Sequence, residues 1–283
     1  MIRLKKNQRW TFPRYQAGLS LIELLVAMVI GLFLLAGIAS SYVSSKNSSV
    51  KRDQVSLLED NGRLVLEIIS SAIEHTGYTP VNAGIMPSQF ITTASDVVDD
   101  TCEDGTNNVM NTSIFRITAD NSGSDALGVI YHGDNTIFTD CTGAQLSANC
   151  RLKPVPSTNN FSDAARIYNS FYVNSSTDRL LCAGSRSSTP QVIAEGVESV
   201  QFLYGVDTNG DNIVDRYTNA SNIAGLWNNV VSIQIAVLVR SLKPVKSVAE
   251  SKQFTLLDTS ITSPSDRYQR AVFSTTVKLR NTL

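Results

Sequence analysis

The chain has 283 residues, of which 42% are apolar and 17% charged, so it can bury a core and is not disordered throughout. Its net charge of -1 gives no bulk support to a nucleic-acid-binding surface. The first eighteen residues carry five basic side chains and no acidic one, so removing them would leave 19 basic against 25 acidic residues, a net charge near -6.

The first predicted element is a membrane-spanning helix from Leu19 to Tyr42. Its single ionisable residue is Glu23, and at 1.5 Å per residue the segment is long enough to cross a bilayer. The basic leader, 1–18, predicts that the amino terminus stays cytoplasmic and the remainder is exported. A secretory signal peptide would place its small-residue cleavage site after the apolar run, whereas Ala17-Gly18 precedes it here. We therefore expect cleavage between Gly18 and Leu19, with the apolar helix retained.

Glu23 is the most informative residue of this helix. An acidic side chain costs about 2.5 to 3.5 kcal/mol at the centre of a membrane helix, and less near the interface, so it calls for a partner. After cleavage Glu23 would lie one helical turn from the new α-amino group of Leu19. In a filament of staggered subunits its carboxylate would meet the amino group of a neighbour and set the register. The alternative is an interfacial glutamate whose carboxylate reaches the headgroups.

The sequence Gly18-Leu19-Ser20-Leu21-Ile22-Glu23-Leu24 resembles the processing motif of type IV prepilins and type II secretion pseudopilins. This resemblance implies that a prepilin peptidase cleaves between Gly18 and Leu19 and methylates the new amino terminus. Leu19 departs from the pattern, because the family usually has Phe at this position.

An amphipathic helix is predicted to follow the membrane segment and to end near Thr76, since Gly77 is a typical C-terminal stop. Its apolar positions are spaced by three and four residues. These positions are Val55, Leu58, Gly62, Val65, Ile69 and Ile73. The segment 59–78 also resembles the stalk-to-head passage of PilW-type minor pilins. We therefore expect one helix over 19–76, with a transmembrane part at about 19–42.

A β-rich head is predicted over 77–283, because short β-branched and aromatic runs alternate with polar turns. The runs lie at 113–119, 125–132, 170–174, 179–182, 197–206, 229–241, 252–258 and 270–281. Alternating residues at 232–235 and 274–279 favour sheets with one face toward the helix and one toward solvent. The predicted fold class is α+β, a pilin-like fold with a long N-terminal helix packed on an antiparallel β-sheet head. Resemblance to PilW-type minor pilins, and more distantly to the large J-type pseudopilin, continues through 194–198, 204–207 and 270–281.

Four cysteines lie beyond the apolar segment, in a stretch rich in small polar residues. Their even number, the absence of a Cys-x-x-Cys pair and the presence of only two histidines favour two disulfides in an oxidising compartment over a zinc site. Four cysteines allow three pairings, and the sequence does not choose among them. Our working guess joins Cys141 to Cys182 and Cys102 to Cys150.

A loop rich in Asp and Asn places oxygen ligands at positions 1, 3, 5 and 9 of an EF-hand-like pattern, which suits calcium. The ligands would be Asp207, Asn209, Asp211 and Asp215. The pattern is incomplete, because position 12 is Thr218 rather than Glu and position 6 is Asn212 rather than Gly. The alternative is an ordinary hairpin loop that needs no ion.

No known catalytic motif occurs in the chain, so we expect no enzyme. Of the two histidines, His75 is expected to cap its helix, and His132, at the end of a predicted strand, is expected to face solvent.

These observations predict a minor pilin that takes part in the initiation of type IV pilus assembly and in the tip complex. A mature chain near 265 residues is large for a subunit repeated along the shaft. The expected partners are the prepilin peptidase, other minor pilins, the major pilin and a tip adhesin, with no nucleic acid. The head would lie in the periplasm beside the inner membrane and later on the surface pilus. The alternatives are a type II secretion minor pseudopilin, or a bitopic calcium-dependent periplasmic binding protein whose helix is only an anchor.

Overall fold

One long helix, α1, runs from Leu21 to His75 and is followed, within the described residues, by ten strands in an α+β arrangement. The computed structural model describes residues 18, 20–80, 88–152, 163–223 and 225–281. The chain divides into two compact units, 1–50 and 51–283, so α1 contributes to both. Most of the predicted leader and Leu19 lie outside the described residues. The domain boundaries given above stay predictions.

The strands of the head form two four-stranded antiparallel sheets and a small hairpin. They are β1 Ala126–His132, β2 Arg166–Asn174, β3 Arg179–Gly184, β4 Gln191–Glu195, β5 Val197–Val206, β6 Arg216–Thr218, β7 Val230–Arg240, β8 Gln253–Leu256, β9 Thr259–Thr262 and β10 Arg270–Lys278. The first sheet has the order β1-β2-β3-β4, and the second has the order β10-β7-β5-β6. The hairpin pairs β8 with β9.

The main core lies between the second half of α1 and the two sheets. Seven residues of α1 are buried, and they follow the predicted spacing of three and four, with Gln54 rather than Val55 at the first position and Ala72 added beside Ile73. They are Gln54, Leu58, Gly62, Val65, Ile69, Ala72 and Ile73. They pack with alternate residues of β5 and β7, such as Phe202 and Ile235. One apolar stripe on the helix thus joins it to the head, as expected of an amphipathic helix.

The helix lies close to β10 at Gly62. A methyl group added at this Cα would overlap the ring of Phe273, whereas one added at Gly37 would meet no atom within 4 Å. Gly62→Ala is therefore expected to lower the free energy of unfolding by about 1 to 3 kcal/mol, because the packed ring must move. Thermal unfolding of the full chain in detergent measures this effect. Gly37→Ala, the matched helical control, should not lower the melting temperature, and equal melting of the two variants would contradict the packing.

Two expectations about the strands are wrong. Residues 113–119 do not form a strand: Thr112–Ile114 is a short 3-10 helix, and the backbone N–H of Arg116 donates to Ser170 Oγ at 2.9 Å. The predicted solvent face of the second sheet is also covered at β7, because the β8–β9 hairpin packs over Ala236 and Leu238. β10 keeps the expected alternation of half-buried and exposed residues.

Both disulfides form, Cys102 with Cys150 and Cys141 with Cys182, which is the pairing guessed from the sequence. Each lies in the part of the chain between α1 and β4. The bond between Cys141 and Cys182 ties a loop to β3, and the other joins two loops to each other. Long segments with little regular structure are held in this way.

The prediction that His132 faces solvent is wrong. Its side chain is fully buried at the end of β1, and its Nδ1 lies 2.9 Å from Thr79 Oγ1. Burial lowers the pKa of His132 to about 4, with a further contribution from the charge of Arg166. His75 is the last residue of α1, and its ring packs against the ring of Tyr131, with 5.9 Å between the ring centroids.

A buried ion-pair cluster fixes the start of β10. The side chain of Arg270 is 2% exposed, and its guanidinium binds the carboxylates of Glu198 and Asp266 through four hydrogen bonds of 2.6 to 2.8 Å. Burial acts to lower the pKa of Arg270, but the two carboxylates more than offset this and hold it above its ordinary value. The cluster joins β5 and β10 across β7.

Candidate processing and assembly site

The start of α1 presents Glu23 in the first helical turn. The backbone N–H of Glu23 donates to Ser20 Oγ at 3.2 Å and to Ser20 O at 3.1 Å. Ser20 therefore caps the helix, and the carboxylate of Glu23 lies near the positive end of the helix dipole. The capping serine fixes where the helix begins.

Ser20 was missed as a functional residue in the sequence. The signal was present, because Ser20 and Glu23 have the Ser-x-x-Glu spacing of a capping box. Both residues belong to the same short motif.

Gly18 is exposed and precedes the helix, and a methyl group added there would meet no atom within 4 Å. Its partner in the predicted scissile bond, Leu19, lies outside the described residues. Cleavage between Gly18 and Leu19, methylation of Leu19 and the intersubunit role of Glu23 thus stay predictions at this point.

The first half of α1 is long and apolar enough to cross a membrane. Its large apolar side chains, such as Leu25, Leu32 and Phe33, are each more than half exposed in the isolated chain. An exposed apolar surface of this extent needs a bilayer or other apolar helices around it.

The loop proposed for calcium forms its own hydrogen bonds. The carboxylate of Asp207 accepts backbone N–H groups of Asn209, Gly210 and Asn212 at 3.0, 2.6 and 2.7 Å. Asp215 accepts from the backbone N–H of Thr208 at 2.7 Å, and the hydrogen bonds from Thr208 lower the pKa of Asp215. Within the described residues, no group of three or more His, Cys, Asp or Glu side chains is arranged to hold a metal ion. This arrangement is that of an Asx-rich turn, which forms without an ion.

Calcium binding remains a prediction with a simple test. If the ion occupies the loop, a chelator should lower the melting temperature of the full chain, because a ligand that binds only the native state stabilises it. Asp211→Ala should then abolish the chelator effect, since Asp211 would supply one ligand. The control, Asp104→Ala, changes an acid of another loop. An unchanged melting temperature with and without chelator would assign the loop to the hairpin interpretation.

Comparison with known proteins gives two family matches. Residues 13–39 match the prokaryotic N-terminal methylation motif, and residues 170–281 match the family of type IV pilus-assembly protein W. The first match contains the predicted cleavage site and Glu23, and the second extends from β2 to the end of β10. The chain is a type IV pilin-like protein. Its recognition as a PilW-type pilin, made from the sequence, is supported at both ends of the chain.

A coarse description of this pilin follows from these matches. It is a pilus-assembly structural subunit, its apolar N-terminal helix anchors it in a membrane, and it belongs with proteins that a prepilin peptidase processes and that assemble with other pilins. Pilins of this kind are typically structural rather than enzymatic. The fold class predicted from the sequence is confirmed, with one long N-terminal helix and antiparallel sheets.

Among solved structures, the chain is similar to a type IV-like pilin from Thermus thermophilus. The match has 14% sequence identity and a TM-score of 0.41, and it covers 79% of this chain and 96% of the other. At this level the similarity adds nothing to the argument from the elements themselves. A comparison with curated proteins gives no match.

Proposed function

We propose that this pilin is a minor subunit of a type IV pilus that takes part in the initiation of assembly and in the tip complex. The observation that carries the proposal is the arrangement at the start of α1, where a capped helix presents one carboxylate beside the predicted cleavage bond and continues into an apolar surface. A helix that served only as an anchor has no need of an acid at this position.

The size of the head supports the minor role. A mature chain near 265 residues, with two sheets and two disulfide-linked loops, has a bulk that is hard to repeat along a closely packed shaft. At the tip, a subunit has no neighbour above it, so a large head meets no lateral restriction. The head would lie in the periplasm before assembly and at the pilus tip afterwards.

Its partners in this proposal are the prepilin peptidase, the major pilin and other minor pilins, with a tip adhesin as a further neighbour. The peptidase would cut between Gly18 and Leu19 and methylate Leu19. The carboxylate of Glu23 would then pair with the α-amino group of an adjacent subunit inside the apolar helix bundle.

The test is mass spectrometry of the N-terminal peptide from sheared surface filaments and from the inner membrane of the same cells. A peptide that begins at methylated Leu19 in the filaments is the expected result. Processed peptide confined to the membrane would instead assign the chain to a type II secretion filament. An uncut leader would reduce the helix to an anchor and overturn the proposal.

The control for processing is a pair of glycine variants. Gly18→Leu places a bulky side chain at the scissile bond and should leave the leader attached. Gly31→Ala changes a glycine inside α1 and should be cut normally.

A further inference from the structure

The sheets of the head end in four edge strands, and three of them are closed or too short to accept another strand. β1 is covered by the segment that precedes it, with Ile91 N donating to Gly128 O at 3.0 Å. β6 has three residues, and β4 has five and a register shift against β3. β6 pairs only with residues 204–206 of β5. Next to them, the exposed edge of β5 is closed by Asp125, whose carboxylate accepts a hydrogen bond from Phe202 N at 2.9 Å. Such devices are the usual protection of a sheet edge.

β10 is the fourth edge, and apart from the exposed Lys278 near its end it lacks such protection. Its nine residues pair with β7 in one unbroken register, and among the described residues no other strand or isolated bridge pairs with it. Beyond its start at Arg270, the strand contains no proline and no bulge. A long, regular edge presents a row of unpaired N–H and C=O groups that another strand can satisfy.

The direction of these groups follows from one hydrogen bond. Leu279 N donates to Val231 O at 2.9 Å, and these two residues continue the register of β10 with β7. Hydrogen-bonded pairs alternate along an antiparallel ladder, so odd-numbered residues of β10 bond to β7 and even-numbered ones point their backbone groups outward. Beyond Arg270, whose side chain is buried, the outward residues are Val272, Ser274, Thr276 and Lys278, and all four side chains are exposed.

Space for a strand lies beside the second half of β10. An open groove of about 760 Å³ is bordered by Ser70 and Glu74 of α1, by Asn212 of the β5–β6 loop and by 275–280. Most of these residues are small or polar, so the groove suits main-chain hydrogen bonding rather than an apolar ligand. The groove is also lined by charged side chains. These are Lys278 and the ion pair of Arg280 with Glu74 at 2.8 Å.

We propose that β10 docks an extended segment of a neighbouring pilin subunit, which adds a fifth strand to the second sheet. β10 spans roughly 30 Å at 3.4 Å per residue, so it matches a segment of about seven to nine residues. Lys278 calls for an acidic residue opposite it, and Val272, 37% exposed, calls for an apolar one at the other end. The proposal rests on the proposed function for the presence of neighbouring subunits.

A second copy of this chain is a less suitable occupant. The exposed outward side chains of β10 are Val272, Ser274, Thr276 and Lys278, so antiparallel pairing of two β10 strands would offer Lys278 no acidic partner. The edge therefore fits a different subunit, whose strand carries the opposite charge.

The first test uses a photo-reactive amino acid placed singly at Val272, Ser274 or Thr276 of the full chain in assembling cells. If a strand adds to β10, the three positions should crosslink to one segment of one pilin subunit, at sites spaced by two residues. Met110, which is 58% exposed on a loop joined to the β3–β4 turn, is the control position and should show no such spacing. Scattered sites, no crosslinks, or crosslinks to a second copy would overturn the proposal.

The second test removes one outward N–H group. Ser274→Pro leaves the ladder to β7 intact, because residue 274 points its N–H outward, and proline is tolerated at such edge positions. It should reduce crosslinking from Thr276 at least tenfold, with normal protein level and disulfides, whereas Ser274→Ala should not. If Ser274→Pro fails to fold, the two-residue spacing of the crosslink sites in the first test decides whether a strand adds to β10.

The outcomes separate this proposal from the proposed function. Normal filaments and undiminished crosslinks in a folded Ser274→Pro variant would overturn the docking strand and leave the pilin function standing. An uncut leader in the unsubstituted protein would overturn the pilin function itself.

Discussion

Glu23→Ala is expected to leave membrane insertion intact and to reduce assembly of this subunit into filaments by at least tenfold. Removing the carboxylate lowers the cost of insertion, because an acid is unfavourable in a membrane helix. The same change leaves the α-amino group of a neighbouring subunit without its partner in apolar surroundings. Loss of one member of a buried ion pair typically costs about 3 to 5 kcal/mol, which is more than a hundredfold in an equilibrium constant. Immunoblots of sheared filaments and of the membrane fraction give the ratio directly.

Two control variants make this result specific. Glu23→Gln keeps the size of the side chain and removes its charge, so it should behave like Glu23→Ala if the charge sets the register. Glu59→Ala removes an exposed acid from the second half of the same helix and should assemble normally. Normal incorporation of Glu23→Ala would remove the pairing argument and favour a glutamate that reaches the headgroups.

Arg270→Met is expected to lower the free energy of unfolding by about 3 to 5 kcal/mol, because the carboxylates of Glu198 and Asp266 lose their hydrogen-bonded cation, and Arg240, 3.6 Å from Glu198, replaces it only in part. For a protein of this size the loss corresponds to a fall of about 2 to 4 °C in melting temperature per kcal/mol. Thermal unfolding of the full chain in detergent measures it. Because Arg270 lies at the start of β10, we expect β10 to unfold before the rest of the head in this variant.

The matched control is the exposed pair of Arg179 and Glu195, whose side chains are 45% and 50% exposed. Arg179→Met should change the free energy of unfolding by less than about 1 kcal/mol, since solvent screens exposed ion pairs. Adding Glu198→Gln to Arg270→Met should recover part of the loss. Similar melting temperatures for Arg179→Met and Arg270→Met would show that burial of the cluster is not what makes it stabilising.

The parts of the fold that were predicted well depend on local signals. α1 ends within one residue of the predicted position, because Gly77 adopts a positive φ of 72° that few other residues reach at a helix end. β5 has the predicted bounds 197–206, since its β-branched and aromatic residues are bounded by Gly196 and Asp207, which favour turns. In both cases the residues that decide the structure lie next to one another in the chain.

The errors arise where distant residues decide. The run at 113–119 has strand-like composition, but Ser170 bonds its backbone through a side chain, and no alternation predicts that contact. His132 is buried, and its ring contacts Thr79, which lies 53 residues earlier in the chain. At the assembly site, Ser20 and Glu23 are readable as a local motif, whereas the partner of Glu23 belongs to another subunit. Neither the sequence nor the fold of one chain contains it.

The crossed order of the two disulfides has a consequence for biogenesis. Synthesis delivers the cysteines in the order 102, 141, 150 and 182, and neither native bond joins consecutive ones. An oxidant that acts on each new thiol as it emerges would first join Cys102 to Cys141. Reaching the native head from that state requires attack by a free thiolate and release of the wrong partner. If oxidation follows the order of synthesis, maturation of this subunit would need a catalyst that reshuffles disulfides as well as one that forms them.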